Sequence, residues 1–405
     1  MNRKSTIISL VALASIACSQ SAVADYVAAA VSRENAALLV ASETEQKLMM
    51  QGTGSGTAEA RDTGYFKVAG TISGSQLGVA SGNNGFYTND TVLFENGSVL
   101  NLSDKTPMQW NFSGNTISLE AMNDGDTATV NFTNTGLNVI RAMGDKSGLY
   151  IGKGITVNTD RLIIRANSPE KTGSEVIIDG TVNVTNDFGQ NPADAYSGYY
   201  TFTVGATGTL KAGSVNLTQE SVIGGSIISN GTVNVQAKTT FENGSKLSIA
   251  EGKSIAIIGT TLAIDSAISL QSSNGLRFAA NKAGSLIVAK DFSAGMLAVA
   301  SDATATIEVA AETDLVFAGI QEMNGALDVT LADEARLIII SRDDTATNAL
   351  EKITLNGQSG NLAWEEILYN GGTAYQLGLN IPEPAEWAAI FGAIALGLAV
   401  YRRRK

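Results

Sequence analysis

The feature that most limits what this chain can become is a degenerate repeat. From about Tyr65 onward, short runs of Val, Ile, Leu and Phe are separated by Asn-Gly, Asp-Gly or Thr-Gly. Examples are Asn96-Gly-Ser-Val-Leu-Asn-Leu-Ser103, Asp179-Gly-Thr-Val-Asn-Val-Thr185 and Asn243-Gly-Ser-Lys-Leu-Ser-Ile249. Gly-Thr-Val-Asn-Val stands verbatim at 180–184 and again at 231–235. Most units are a turn pair followed by apolar and polar residues in alternation, which is the pattern of a half-buried strand. Alternation puts Val182, Val184, Val233 and Val235 on an interior face and Asn234 on the opposite one. The units are irregularly spaced, roughly 10 to 30 residues apart.

Such repeats over most of a chain have two physical readings. One is a right-handed parallel β-helix, in which each coil stacks its apolar ladder on the next. The alternative is a set of tandem β-sandwich domains, which also show a strand every ~8–12 residues. Asn in the polar slots, small residues and only 6% aromatic residues favour the tight coils of the solenoid. Sandwich cores often bury a Trp, and the body offers only Trp110 and Trp364. The expected fold is therefore all-β, a solenoid body over 57–380 behind a cap and Gly-rich link at 25–56. Open strands at the ends of a solenoid need covering. Residues 27–50 read as a helical N-terminal cap, because Val27, Val31, Leu38, Leu39 and Leu48 are loosely spaced at three to four and seven. Residues 361–380, with Trp364, Tyr369 and Tyr375, read as the C-terminal one.

Composition then removes whole classes of chemistry. There is no His and one Cys, Cys18. His-based triads, His zinc sites, four-cysteine metal sites and disulfide frameworks all fall away. Residues 25–380 carry 37 acidic against 21 basic side chains, a net of −16. That surface repels nucleic acid and anionic lipid.

The remaining candidates for chemistry read as turns. Asn123-Asp-Gly-Asp126 places two carboxylates around a Gly as calcium loops do, but the Glu at position twelve of the full loop is missing. Asp343 and Asp344 follow a strand at Leu337–Ile340 and form the one other carboxylate pair of note, as in polysaccharide hydrolases. Gly52-Thr-Gly-Ser-Gly56 lacks the Lys-Ser/Thr of a phosphate loop. Nine Asn-x-Ser/Thr sequons occur, at 89, 96, 101, 111, 131, 183, 216, 230 and 243. No catalytic, cofactor-binding or metal-ligating residue is assigned, and no cofactor is expected.

Both ends carry address labels. Arg3 and Lys4, an apolar run from Ile7 to Ala17, and Ala22-Val23-Ala24 make a secretory signal peptide over 1–24. It implies passage through the Sec translocon and cleavage by signal peptidase between Ala24 and Asp25. At the other end stand Pro382-Glu383-Pro384, an apolar stretch and Arg402-Arg403-Arg404-Lys405. Residues 385–401 would form a helix of about 26 Å, a short membrane span with Trp387 and Tyr401 at its interfaces. The four cations after it would stay in the cytoplasm.

Residues 381–405 resemble the PEP-CTERM sorting signal, whose three parts occur here in order. The resemblance implies recognition and removal of the tail by a membrane-embedded exosortase in an exopolysaccharide-producing bacterium. It says nothing of the body, which is similar only in composition to autotransporter passengers and surface adhesins. Together these readings predict an exported protein, held briefly at the membrane and destined for the cell surface or matrix. Its expected role is structural or adhesin-like, with exopolysaccharide or copies of itself as partners. The competing expectation is a β-helical polysaccharide lyase or hydrolase on the same tail.

Overall fold

The computed structural model describes residues 27–379 except 29, 31, 40–47, 52–63, 75–76, 80–84, 87–89, 103–108, 113–115, 134–136, 143–147, 167–173 and 190–199. Ile394 is also described. The signal peptide and, apart from Ile394, the sorting tail lie outside the described residues, including Ala22, Ala24, Pro382–Pro384 and Arg402–Lys405. Among the described residues, no helix is long and apolar enough to cross a membrane.

Nearly every described element is a strand, and the strands stack as a β-solenoid. Two long sheets carry it, one of 15 strands and one of 21. Almost all pairings are parallel between strands of successive coils. Phe66, Val92, Leu119 and Ile151 stand in register one above another. The same file continues through Ile178, Val204, Ile223 and Phe241 and ends at Leu331. All of these residues except Leu331 are buried, and Leu331 packs against the same core. Among the described residues one contiguous apolar cluster runs from Leu39 to Leu377, and a second, small one joins Val316, Ile338 and Ala374. A parallel sheet normally needs both faces covered. Here the coil wraps back on itself, so most strands bury one face and wet the other, while a few, such as those at Val92, Leu93 and Phe94 and at Ile338 and Ile339, are covered on both.

Alternation follows in the strands that bury one face. The strand Ile155–Thr159 buries Ile155, Val157 and Thr159 and turns Thr156 and Asn158 outward. The four valines singled out in the sequence are all buried, and Asn234 faces outward. Coil length varies freely: 32 residues separate Leu119 from Ile151, and 18 separate Ile223 from Phe241. The ladder holds the strands in phase while the connections absorb the difference.

The larger sheet turns a corner within single strands. In Thr209–Leu217 the first half pairs with Ser226–Ser229 and the second half with Val233–Val235. Gly213 sits between the halves, where a Cβ would lie 2.4 Å from Asn186 O. Only Gly fits that bend. The neighbouring strand Thr181–Phe188 shifts register at the same corner, between Val184 and Asp187.

The helical reading of 27–50 is corrected. Where described, this segment is strand, at Val27–Ala28, Ala37–Leu38 and Leu48–Gln51. Leu38 is exposed and Leu39 is buried, which is the two-residue period of a strand. The loose helical spacing lost to tertiary pairing. Val27–Ala28 bonds to Met50–Gln51, and Ala37–Leu38 bonds to Phe66–Lys67.

At the opposite end the parallel pattern stops. Leu362–Tyr369 and Gly372–Leu379 form an antiparallel hairpin that pairs back onto Ile338 and Ile339. Trp364 is buried beneath it and donates its indole N–H to Ala346 O at 2.8 Å. The Arg342 guanidinium lies 4.9 Å from the centre of the Tyr375 ring. The hairpin thus covers an end that would otherwise present open strands.

Candidate functional site

Two features of the outer surface carry chemistry. The first is a polar array on the larger sheet. Thr129, Thr156, Thr181 and Thr209 stand in register, one per coil. Two residues along each strand, Asn101, Asn131, Asn158 and Asn183 form a parallel file. Neighbours repeat about every 4.8 Å along the stack, and the two files lie about 6.6 Å apart. The asparagine amides are linked head to tail. Asn183 Nδ2 donates to Asn158 Oδ1, Asn158 to Asn131, and Asn131 to Asn101, each at 2.8 Å. Asn101 Nδ2 continues the run to Ser73 Oγ at 3.3 Å. Each internal amide uses one N–H and one lone pair in the ladder, so the second of each remains available. No charge interrupts either file until Lys211, which follows Asn183 in register. A shorter link, Asn234 Nδ2 to Asn216 Oδ1 at 2.8 Å, lies on the next face round the corner.

This array changes the reading of the sequons. Asn101, Asn131, Asn183 and Asn216 have side-chain amides already engaged in hydrogen bonds. Asn230 and Asn243 are exposed in turns. Asn96 is exposed as well, and its Oδ1 accepts from Thr127 N. Asn89 lies outside the described residues.

The second feature is a cleft of about 370 Å³ over the turn 120–127 and the strand Gly148–Ile151. Arg33 closes one side from the N-terminal segment. Its guanidinium contacts Glu120 Oε2 at 2.7 Å and donates to Ala121 O at 2.9 Å and Met122 O at 3.3 Å. Tyr150 forms a wall. Burial, followed by a hydrogen bond to Asp179 and the charges of Asp179 and Glu120, pushes its phenol up to about 12. The phenol therefore stays neutral at any physiological pH. Lys153 Nζ stands at the rim, 3.8 Å from Asp124. The floor includes Gly154, whose φ is +84° and whose Cβ would fall 2.1 Å from Asp126 O.

The candidates from sequence separate here. Asn123–Asp126 does line the cleft, but as a turn closed on itself. Asp126 Oδ2 accepts from Asn123 N at 3.1 Å and from Asn123 Nδ2 at 2.8 Å. Among the described residues no group of three or more Asp, Glu, Cys or His is arranged to hold a metal. Asp343 caps the short helix Asp344–Ala349, its Oδ1 accepting from Ala346 N at 2.9 Å. The pair Asp343–Asp344 is thus a helix start at the C-terminal end of the stack. Arg33, Glu120, Tyr150 and Asp179 carry no motif in the sequence. They meet because Glu120, Gly152 and Asp179 follow one another at the same corner of successive coils.

The chain matches no protein-family model, no curated protein and no solved structure.

Proposed function

We propose that this chain is an exported structural protein of the bacterial cell surface or extracellular matrix. On this reading Sec delivers it and an exosortase removes its tail at Pro382-Glu383-Pro384. The solenoid then displays a long polar face to exopolysaccharide or to other copies of itself. The observation that carries the reading is the Thr/Asn array. It is flat, repetitive and uncharged within a body of net charge −16. Such a surface suits many weak contacts along a polymer better than one deep contact. A β-solenoid is also compatible with adhesin-like proteins.

Replacement of Pro382-Glu383-Pro384 by Ala-Ala-Ala tests the sorting step. Unprocessed protein is expected to accumulate at the inner membrane. A mature species unchanged in mass and location ends the sorting reading.

A second reading, a β-helical polysaccharide hydrolase or lyase, draws on one feature. Glu120 and Asp179 are two coils apart, about 10 Å at the backbone, on either side of Tyr150. Hydrolases that invert configuration hold their carboxylates about 6.5–9.5 Å apart. Arg33 pairs with one of these carboxylates and Tyr150 with the other. Both carboxylates are therefore engaged by neighbouring side chains before any substrate arrives. The display reading therefore stands first. Release of reducing ends or unsaturated products from the host's exopolysaccharide would reverse that order.

A further inference from the structure

We propose that the cleft between Arg33, Glu120, Tyr150 and Lys153 is a binding subsite for one neutral sugar unit of a polysaccharide chain. The proposal rests on the display reading above and adds a defined point of attachment to it.

The cleft is the right size, within the ~300–1,000 Å³ typical of ligand sites. Its walls are held in place by hydrogen bonds among the lining residues and from Asp179 behind them. Glu120 is fixed by Arg33 through Oε2, and Tyr150 by Asp179 behind it. Asp126 is fixed by Asn123. Prepositioned groups of this kind lose little freedom when a ligand arrives. The floor keeps its shape because Gly154 cannot carry a side chain there. Pinned carboxylate, guanidinium and phenol groups beside the exposed Lys153 and Asp124 offer donors and acceptors together. Hydroxyl groups, which both donate and accept, match that mixture.

Charge selects among sugars. Glu120, Asp124 and Asp126 line the cleft against Arg33 and Lys153, and Asp179 adds a further negative charge behind Tyr150. The excess of carboxylate disfavours a uronate. A neutral hexose brings no charge to be repelled.

The test uses the full chain, with cellohexaose and mannohexaose as neutral probes and hexagalacturonate as the anionic one. Titration calorimetry at pH 7 is expected to show at least one neutral hexamer binding and hexagalacturonate not binding. The double variant Lys153→Ala/Asp124→Ala is expected to weaken that binding at least tenfold. Its unfolding midpoint should not move, because the two side chains are 67% and 94% exposed. No binding of either neutral hexamer overturns the proposal, as does equal binding by the double variant or preference for hexagalacturonate. Exopolysaccharide extracted from the producing cells separates the two readings. If it binds wild type and double variant alike, the cleft proposal falls and the display reading survives.

Discussion

Asn183 donates from its side-chain amide to Oδ1 of Asn158, 25 residues earlier and one coil away. The two strands are in register, so the amides face each other at the strand spacing. Asn158 repeats the contact with Asn131. All the donors point the same way, so each bond polarises the next. The polar outer face is thereby cross-linked by hydrogen bonds from coil to coil. Four coils are tied together on the outside as well as within.

Breaking the ladder in its middle should cost more than a typical surface change. Asn158→Ala removes the donor to Asn131 and the acceptor of Asn183. Both remaining amides are half-buried, so a loss of about 1–2 kcal/mol is expected. Asn158→Asp should be at least as costly, because a carboxylate cannot donate to Asn131 Oδ1. Urea unfolding of both variants measures this. A loss below about 0.5 kcal/mol in each would show that water replaces the ladder without penalty.

The two faces of one strand should respond very differently to charge. Val233 is fully buried, and Val233→Asp is expected to cost several kcal/mol or to prevent folding. Val233→Ala, at about 2 kcal/mol, keeps the comparison readable if the first variant does not fold. Asn234 faces outward but donates to Asn216, so Asn234→Asp should cost about 1 kcal/mol. Equal effects at 233 and 234 would refute the register.

Stability should decline at high pH through Tyr150. Its folded pKa is about 12, against about 10 in an unfolded chain. Below pH 10 the phenol is neutral in both states and has no effect. Between pH 10 and 12 the unfolded chain loses its proton first, which favours unfolding. The full shift corresponds to about 2.7 kcal/mol. Partial exposure of the side chain reduces the expected loss to about 1 kcal/mol. Tyr369 is also raised, mainly by burial, so the readout is the difference between wild type and Tyr150→Phe. Parallel stability curves from pH 9 to 12 would remove the proposed tie to Asp179.

Asp343 should matter for folding and not for catalysis. Its carboxylate caps the helix Asp344–Ala349, so Asp343→Ala should cost about 1 kcal/mol. Asp343→Asn should restore most of that, since Asn caps equally well. Thermal melts of the two variants check the assignment. A loss of sugar-polymer cleavage in Asp343→Asn, with stability intact, would return the carboxylate pair to candidacy.

Calcium should leave the turn 123–126 unaffected. Asp126 Oδ2 already accepts two N–H groups from Asn123. Melting temperatures with millimolar calcium and with EDTA are expected to agree within a degree. A rise of several degrees with calcium would mean that the turn reopens around the ion.

Strand character and its inner and outer faces were legible in the sequence wherever the signal was local. A period of two residues is set by backbone geometry alone, so Val182, Val184, Val233 and Val235 could be assigned to the core without knowing their partners. Asn and Gly at the turns marked where strands begin for the same local reason. The segment 27–50 failed the same kind of reading. Its apolar spacing fitted a helix loosely, and bonds to strands far along the chain outweighed that preference.

Which coil and which face a unit occupies was decided only by the tertiary structure. Gly-Thr-Val-Asn-Val at 180–184 and at 231–235 is the same sequence, yet the two copies lie in different files of the sheet. Val182 stacks between Val157 and Leu210, whereas Val233 stacks between Val215 and Ile255. The corner at Gly213 separates these files, and nothing in the five repeated residues encodes which side of it a copy will occupy. The cleft has the same origin, since Arg33 and Glu120 are 87 residues apart and meet only once the coils are in register. A short window of sequence fixes the direction in which each side chain points. Register between coils is set by the summed packing of the whole core, and the neighbours of each side chain follow from that sum.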